Sequence, residues 1–204
     1  MQNSQQKNEV SGVILAAGLG SRMGRTKQLM QVSDKPMVQM VLEAAQQSSL
    51  SKIILVLGYQ SDAIRQSLDL RRVETLVNHH YELGLAHSIR IALPVIPDHH
   101  GAALFLLGDQ PQITAEIIDL IVSKFRASSS RLVIPRYRNK RGNPVLIARS
   151  LFGELFKLSG DSGGRQLFEE HQEEIAWVDI GSDAILKDID TLEDYKDLKR
   201  ELEG

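Results

Sequence analysis

The sequence contains no cysteine, carries almost no net charge and has no long apolar run. The absence of cysteine excludes disulfide bonds, thiolate metal sites and a cysteine nucleophile. A formal net charge of -2 gives no sign of attraction to nucleic acid or to a membrane surface. No apolar run approaches the roughly 18 residues that a membrane-spanning helix needs. We therefore expect no nucleic-acid partner, no membrane partner and a cytoplasmic location.

The first nine residues, "MQNSQQKNE", are polar and do not resemble a signal peptide. We interpret residues 1–9 as a flexible N-terminal tail. The 204-residue length suits one domain, and the sequence shows no internal repeat or low-complexity linker. Residues 10–204 are therefore predicted to form a single domain.

Short apolar runs alternate with longer amphipathic stretches over most of the chain. Nearly continuous apolar runs are typical of strands that are covered on both faces. Strands that alternate with helices favour right-handed βαβ units, so we predict an α/β fold with three α/β/α layers and a mostly parallel sheet. The predicted strands are residues 13–17, 53–57, 73–77, 103–107 and 131–135, and the predicted helices between them are residues 36–47, 60–70, 85–93 and 114–126.

The pattern changes after residue 135, where shorter elements follow one another. The stretches "PVLIA", "IAWVDI" and "AILKDID" predict short strands, whereas "LFGELFKL" and the residues after "SGDSGG" predict helices. The last stretch, "TLEDYKDLKRELE", predicts a closing helix. Thr191 followed by Asp194 fits a capping box at its start.

The stretch "VILAAGLGSRMGRTKQL", Val13–Leu29, takes a buried strand into a glycine-rich basic loop. Ligands of parallel sheets bind beyond the carboxyl ends of the strands, and this loop starts at such an end. Gly18 and Gly20 allow backbone N–H groups to approach a ligand closely, and Arg22 and Lys27 add positive charge. The loop therefore suits a polyphosphate.

Three phosphate-loop patterns compete for this stretch. The Walker A pattern is absent, and the glycine spacing differs from the dinucleotide fingerprint G-x-G-x-x-G. The third pattern, L-A-A-G-x-G-x-R-M-G-x-x-K, matches without a gap. It resembles the signature loop of nucleotidyltransferases with a glycosyltransferase-A-like Rossmann fold. The resemblance implies a nucleotide site made by Leu15, Ala16, Ala17, Gly18, Gly20, Arg22 and Lys27.

A second motif, "LLGDQPQIT", ends an apolar run with Asp109. In the resembled family the aspartate of this motif holds Mg²⁺, a hard cation that prefers carboxylate oxygen. Relatives place a second carboxylate near the end of the chain. The resemblance implies Asp190 for that position, with Asp188 as the alternative. Two carboxylates that converge on one point repel each other unless a cation lies between them.

Further stretches are most similar to the molybdenum cofactor cytidylyltransferases. "NHHYELGLAHS" carries that family's Asn78, Tyr81, Gly84 and Ser88, and "LSGDSGGR" and "LKDIDTLEDY" resemble two later segments. The pairing of A-A-G with G-D-Q-P favours CTP over GTP. Two positions depart from the family pattern: Asn143 stands where its members have histidine, and Leu192 where they have proline.

The resemblance implies transfer of CMP from CTP to the phosphate of molybdopterin, with release of pyrophosphate. Residues 10–130 would then be the nucleotide-binding half and residues 131–204 the acceptor-binding half. The product could pass to a molybdoenzyme or its chaperone. The site residues implied in addition to the loop are Gly58, Asn78 and Ser88 for the nucleotide, Lys27, Arg22 and Asp109 for catalysis, and Asn143 with Arg165 for the acceptor.

Two other functions remain open at the level of sequence. One is a nucleotidyltransferase for a sugar 1-phosphate or another small phosphorylated acceptor, and the other is a nucleotide-binding module without catalysis. Intact Lys27 and Asp109 argue against the second.

Two further groups of side chains, the paired histidines and a basic cluster, are not among the site residues named above. The adjacent histidines at 79–80 and 99–100 fit no zinc spacing motif and are expected in surface loops. The basic residues between 136 and 141 predict a solvated hairpin. The alternative is that they cradle the phosphate of the acceptor together with Asn143 and Arg165.

Overall fold

The structure is a computed structural model that describes residues 8–18, 27–160 and 164–203, without the side chain of Arg165. Most of the predicted tail, residues 1–9, lies outside this range. The strands are β1 (Val10–Ala16), β2 (Gln31–Val32), β3 (Lys35–Pro36), β4 (Lys52–Leu57), β5 (Val73–Val77), β6 (Ala102–Leu107), β7 (Leu132–Tyr137), β8 (Lys140–Arg141), β9 (Val145–Ala148) and β10 (Ile175–Asp179). The α-helices are α1 (Met37–Gln47), α2 (Ser61–Gln66), α3 (Leu85–Ala92), α4 (Ala115–Arg126), α5 (Phe152–Leu155), α6 (Arg165–Glu170) and α7 (Leu192–Glu203).

The main sheet has the strand order β10-β7-β9-β6-β1-β4-β5, with β8 paired to β7. Strand β1 pairs in parallel with β4 and β6, and β4 pairs in parallel with β5. Strand β9 is antiparallel to both of its neighbours, β6 and β7. The predicted α/β fold with a mostly parallel sheet is therefore confirmed, and the short strand β9 joins the two halves of the chain in one sheet.

Strand β1 is buried on both faces, as its continuous apolar run predicts. Ile14 and Ala16 pack into one apolar cluster with α1 and α4, whereas Val13 and Leu15 pack into another with α3 and α5. Successive side chains of a strand point to opposite faces, so each face needs its own helical cover. The result is the predicted three-layer α/β/α arrangement.

Helix starts agree with the capping signals in the sequence. Helix α4 begins after Thr114, whose hydroxyl accepts a hydrogen bond from the amide of Ile117 at 3.4 Å. At the start of α7 the amide of Asp194 donates to Thr191 Oγ1 at 3.1 Å, and the amide of Thr191 donates to Asp194 Oδ2 at 2.7 Å. This reciprocal pair is the predicted capping box, and it leaves both end amides satisfied.

The prediction of a strand at "AILKDID" is wrong. Asp183–Leu186 form a 3₁₀ turn, started by Ser182, whose hydroxyl accepts from the amide of Ala184 at 3.2 Å. Ile185 is buried against Gly142, where an added Cβ would lie 2.3 Å from the Ile185 carbonyl oxygen. The apolar residues of this stretch are thus buried by a turn that packs on the β8–β9 connection. Helix α2 is also shorter than predicted and ends at Gln66.

The histidine pairs also differ from the prediction in part. His79 and His80 are exposed, as expected, but His100 is only 3 % exposed. Its ring is held inside the fold by Ser11, which the sequence pattern does not indicate. In the described part of the chain, no helix is both long enough and apolar enough to cross a membrane.

Candidate active site

The loops that follow β1, β4, β5 and β6 meet at one edge of the sheet. Because these four strands are parallel neighbours, their carboxyl ends lie side by side. That edge brings together Gly18 after β1, Gly58 after β4, Asn78 after β5 and Asp109 after β6. This is where open parallel sheets bind their ligands. Gly20 and Arg22 lie outside the described residues.

Lys27 forms the centre of this edge because its ammonium group joins two carboxylates from distant parts of the chain. Its Nζ lies 2.6 Å from Oδ2 of Asp109 and 2.8 Å from Oδ1 of Asp190. The structure therefore brings together the two acids that the sequence singled out. The sequence predicts Mg²⁺ between them, whereas the positive charge found between them in this structure is that of Lys27. Their roles in metal binding and catalysis remain predictions.

The surroundings of Lys27 hold it in the charged form. Burial alone lowers the pKa of its ammonium group, but the attraction of Asp109 and the hydrogen bonds to both aspartates outweigh that effect and raise the pKa. Only 13 % of the side chain is exposed. The lysine is thus a largely buried member of a charged cluster and not an exposed loop residue.

Asp188 is a third carboxylate beside this pair. The side-chain amide of Gln110 donates to its Oδ1 at 2.7 Å. Partial burial raises the pKa of Asp188, and the negative charge of Asp109 adds to that rise. Gln110 is itself buried, and its position between Asp109 and a proline is the sequence signal that could have identified it. It fixes the segment that carries Asp188 and Asp190.

A backbone hydrogen bond completes the link between the two halves of the chain. The amide of Ile189 donates to the carbonyl oxygen of Asp109 at 3.0 Å. Ile189 is buried in a small apolar cluster with Val32 and Leu198. The segment before α7 is therefore tied to the end of β6, which keeps Asp190 close to Asp109.

Gln28 supports the beginning of the glycine loop. Its side-chain amide donates to the carbonyl oxygens of Ala16, at 3.3 Å, and Gly18, at 2.9 Å. The side chain is buried, so these bonds fix the backbone where the loop leaves β1. Sequence reasoning did not assign a role to Gln28, although it directly follows the loop lysine.

Two glycines allow the strand ends to pack closely. An added Cβ at Gly58 would lie 2.5 Å from the carbonyl oxygen of Ala17, and one at Gly108 would lie 2.8 Å from the Cβ of Ala16. Both distances are too short for a real side chain. The A-A-G and G-D motifs therefore contact each other directly, and the predicted place of Gly58 near the base stays a prediction.

Asn78 and Ser88 form a buried hydrogen-bonded pair. Asn78 Nδ2 donates to Ser88 Oγ at 3.0 Å, and Asn78 Oδ1 accepts from the amide of His80 at 2.9 Å. His87 Nδ1 lies 2.8 Å from the same oxygen. These contacts shape the connection between β5 and α3. A direct contact of Asn78 or Ser88 with a nucleotide stays a prediction.

The residues expected to bind the acceptor lie in the second half of the chain. The amide of Asn143 donates to the carbonyl oxygen of Ile185 at 2.9 Å, which places Asn143 beside the turn that leads to Asp188 and Asp190. The side chain of Arg165 lies outside the described residues. The predicted basic hairpin is present as β7 and β8, and the guanidinium of Arg141 lies 4.8 Å from the ring centroid of Phe168.

The arrangement can neutralise a polyphosphate and can hold a divalent cation. Carboxylate oxygens of Asp109 and Asp190 already converge on one positive charge, and hard cations such as Mg²⁺ and Mn²⁺ prefer oxygen ligands. Lys27 supplies a positive charge at the same point. The site therefore combines the two kinds of charge that phosphate transfer requires.

Comparison with known proteins gives one family and several similar structures. The model of the family described as MobA-like NTP transferase domain matches residues 12–175. Rv0371c from Mycobacterium tuberculosis H37Rv is 31 % identical over 96 % of this chain and 98 % of its own, with a TM-score of 0.86. A structure of Rv0371c in complex with manganese gives 29 % identity over the same shares of both chains and a TM-score of 0.81.

Two further proteins share the fold or part of the sequence. A molybdopterin-guanine dinucleotide biosynthesis protein A from Archaeoglobus fulgidus is 17 % identical over 93 % of this chain and 97 % of its own, with a TM-score of 0.69, which shows the fold alone. The bifunctional protein GlmU of Bacillus cereus is 32 % identical over 149 residues, which is 72 % of this chain and 32 % of GlmU. The chain thus spans about a third of the length of the curated relatives it matches.

Proposed function

The chain belongs to the MobA-like NTP transferase domain family, and on that premise we propose that it transfers CMP from CTP to the phosphate of molybdopterin. Pyrophosphate leaves in the same step. Nucleotidyl transfer is the activity that family membership supports. The choice of CTP and of molybdopterin rests on the motifs of this sequence.

One observation supports catalysis most strongly, namely the contact of Lys27 with Asp109 and Asp190 at the carboxyl edge of the sheet. A binding module needs positive charge for phosphates, but it does not need two acids beside that charge. The acids become useful when a cation and a triphosphate share the site. The cluster therefore favours an enzyme over a non-catalytic module.

The reaction needs alignment and charge neutralisation more than it needs a base. The attacking phosphate oxygen of the acceptor is already an anion, so no proton has to be removed before it attacks the α-phosphorus. Lys27 stabilises the negative charge that builds up on the triphosphate, and the glycine loop offers backbone N–H groups to the same phosphates. Gln28 keeps that loop at the end of β1.

A divalent cation fits the acidic pair because two carboxylates converge on one position. Asp109 and Asp190 would hold Mg²⁺ or Mn²⁺, and the bound ion would supply charge neutralisation on the phosphate oxygens. With such an ion in place, Lys27 would not have to balance both carboxylates. Its ammonium group would then be available to the triphosphate.

The motifs support CTP as the nucleotide. The A-A-G turn and the G-D-Q-P turn are the pair that is typical of the cytidylyl branch of the resembled family. In this structure the two turns touch, because Gly108 packs against Ala16. We therefore interpret the two motifs as one packing unit at the end of β1 and β6. We propose that this unit borders the space for the base.

The acceptor is assigned to the second half of the chain. We propose that residues 10–130 bind the nucleotide and that residues 131–204 bind molybdopterin. Asn143 lies beside the turn before Asp188 and Asp190, so a phosphate held there would be close to the acidic pair. Arg165 is proposed as a second contact, and a molybdoenzyme or its chaperone as the recipient of the product.

A matrix of nucleotides and acceptors tests this function. Purified protein with Mg²⁺ is incubated with CTP, GTP, UTP or ATP and with molybdopterin or a sugar 1-phosphate, and pyrophosphate release is measured. Release is expected only with CTP and molybdopterin, and CTP should raise the melting temperature more than GTP does. Release with a sugar 1-phosphate would identify the alternative enzyme. Nucleotide binding without release in any mixture would identify a non-catalytic module.

A further inference from the structure

Glu9, His99 and His100 meet at the sheet edge opposite the candidate active site. Glu9 directly precedes β1, and the two histidines lie just before β6. Since β1 and β6 are parallel neighbours, their starting ends lie side by side. The amide of Gly101 donates to the carbonyl oxygen of Glu9 at 2.9 Å and fixes the two segments together.

The three side chains offer donor atoms at the spacing that one metal ion needs. Oε2 of Glu9 lies 3.1 Å from Nε2 of His100 and 3.4 Å from Nε2 of His99. One ligand atom from each residue lies within 4.8 Å of the other two. Zinc bonds of about 2.0–2.2 Å at tetrahedral angles place ligand atoms about 3.3–3.6 Å apart. Both distances to the Glu9 carboxylate are therefore close to the spacing of ligand atoms around a bound ion.

His100 is oriented by a second contact. Its Nδ1 lies 2.8 Å from Oγ of Ser11, and both side chains are buried. A hydrogen bond at the other ring nitrogen is the support that metal-binding histidines commonly have. The side chains of His99 and Glu9 are 49 % and 41 % exposed, so an ion can reach them from solvent.

Glu9 is the acid that acts on His100, and Arg149 and Lys52 are the nearby cations. Lys52 Nζ lies 2.7 Å from Glu74 Oε2, and Arg149 Nη1 lies 3.5 Å from Asp98 Oδ1. Each of the two cations therefore has a carboxylate partner. A cavity of about 550 Å³ opens beside His99 and His100 and leaves room for water or a small anion as a further ligand. Three protein ligands with one open position are typical of zinc sites that bind a fourth group.

We propose that Glu9, His99 and His100 bind one late first-row divalent cation of the Zn²⁺ class. Two imidazoles favour Zn²⁺, Ni²⁺ or Cu²⁺, whereas the carboxylates Asp109 and Asp190 favour Mg²⁺ or Mn²⁺. The chain thus sorts two kinds of metal to opposite edges of its sheet. The bound ion joins the start of β1 to the start of β6.

Zinc titration of tag-free, metal-depleted protein tests the site. Saturating Mg²⁺ is present throughout to occupy the acidic pair, and calorimetry measures the number of Zn²⁺ ions bound. We expect one ion per chain and a zinc-dependent rise in melting temperature. Glu9→Gln and His99→Gln each change a partly exposed residue, so both variants should fold, and each should weaken zinc binding by about 10-fold or more.

His79→Gln is the matched control because His79 belongs to the other adjacent histidine pair. It should bind zinc like the wild type. Zinc binding that is absent in the wild type, or equally strong in Glu9→Gln and His99→Gln, would overturn the proposal. The readouts are stoichiometry and melting temperature, and none of the variants touches the Asp109 site. The result of the zinc titration therefore does not depend on whether the protein catalyses nucleotidyl transfer.

Discussion

The side-chain amide of Gln110 donates to Oδ1 of Asp188 at 2.7 Å, whereas the neighbouring acid Asp190 contacts Lys27. Two aspartates that are two residues apart thus have different partners. Asp188 is bound to a neutral amide that positions the segment, and Asp190 is bound to the cation of the site. This difference separates their expected roles.

The first prediction concerns these two acids. Asp190→Asn should lower Mg²⁺-dependent turnover by about 10²–10³, because an amide is a poor ligand for a hard dication. Asp188→Asn should cost less than about 10-fold, since the carbonyl oxygen of the new amide can still accept from Gln110. Initial rates over a range of Mg²⁺ concentrations measure both effects. Equal losses in the two variants would make Asp188 the metal ligand.

The second prediction concerns Lys27. Lys27→Met should lower turnover by about 10²–10³ and should also lower the melting temperature in metal-free buffer, because Asp109 and Asp190 then face each other without a cation. Mg²⁺ or Mn²⁺ should restore the melting temperature of the variant but not its turnover. Lys140→Met, on the exposed hairpin, is the control. If the melting temperature of Lys27→Met does not change when Mg²⁺ or Mn²⁺ is added, Lys27 and the metal do not share one position.

The third prediction concerns Asp109. Asp109→Asn removes one of the two carboxylates that neutralise a largely buried ammonium group, so it should destabilise the metal-free protein by about 1–2 kcal/mol. In a Lys27→Met background, Asp109→Asn should instead stabilise the metal-free protein, because it relieves the repulsion between Asp109 and Asp190. Urea unfolding of Asp109→Asn, Lys27→Met and the double variant measures this coupling. Additive effects would mean that the two side chains do not interact in solution.

The fourth prediction concerns the contact between the two motif turns. Gly108→Ala should cost about 1–3 kcal/mol and reduce turnover, because the new Cβ meets that of Ala16 at 2.8 Å. Adding Ala16→Gly removes the closest atom and should recover part of both losses. Gly153→Ala, where an added Cβ meets nothing within 4 Å, is the control. Absence of any recovery in the double variant would contradict a direct steric contact.

The fifth prediction concerns the pH dependence of stability and a cluster far from the site. His171 Nε2 lies 2.7 Å from Glu154 Oε2, and His171 Nδ1 lies 2.9 Å from Glu174 Oε1. These hydrogen bonds raise the pKa of the imidazole above its ordinary 6.5. Hydrogen bonds from Arg131, and then from His171, lower the pKa of Glu174 to about 2.

The two shifts define a pH window. The charged imidazole stabilises the fold fully below about pH 6.5, and this contribution is lost as the pH rises through the raised pKa. The Glu174 contribution is present above about pH 4.5 and is lost as the pH falls toward 2. Urea unfolding should therefore show the largest gap between wild type and His171→Gln at pH 5–6 and a smaller one at pH 8.5. A gap that stays constant between these values would contradict the charged form. His79→Gln should stay within about 0.5 kcal/mol of wild type.

The strands could be predicted from the sequence because burial on both faces leaves a continuous apolar run, as in β1 and β4. The glycine loop and Asp109 could be identified because a ligand-binding edge needs glycines for close backbone approach and charged side chains for binding. Both are visible as residue types in the sequence. The 3₁₀ turn at Asp183–Leu186 could not, since its apolar residues have the same pattern as a short strand. The contact of Ile185 with Gly142 favours the turn over a strand. Because Gly142 lies far earlier in the chain, no local sequence pattern shows this contact.

The supporting side chains were missed for a related reason. Gln28 and Gln110 are polar residues whose role comes from burial, and burial depends on which segments pack over them. The sequence predicts His100 in a surface loop because its spacing fits no zinc motif, yet Ser11 binds it inside the fold. Sequence patterns report what a residue type can do, whereas these positions depend on what the fold brings next to it.

The backbone hydrogen bond from Ile189 to Asp109 has a consequence for how new specificities arise in this architecture. Lys27 and Asp109 come from the first half of the chain, but Asp190 is delivered by the second. A chimera that exchanges everything after residue 131 with a relative therefore replaces one wall of the ionic cluster together with the surface proposed to select the acceptor. Recombination at that boundary cannot alter the acceptor alone, and a successful graft has to bring its own acid in register with the end of β6.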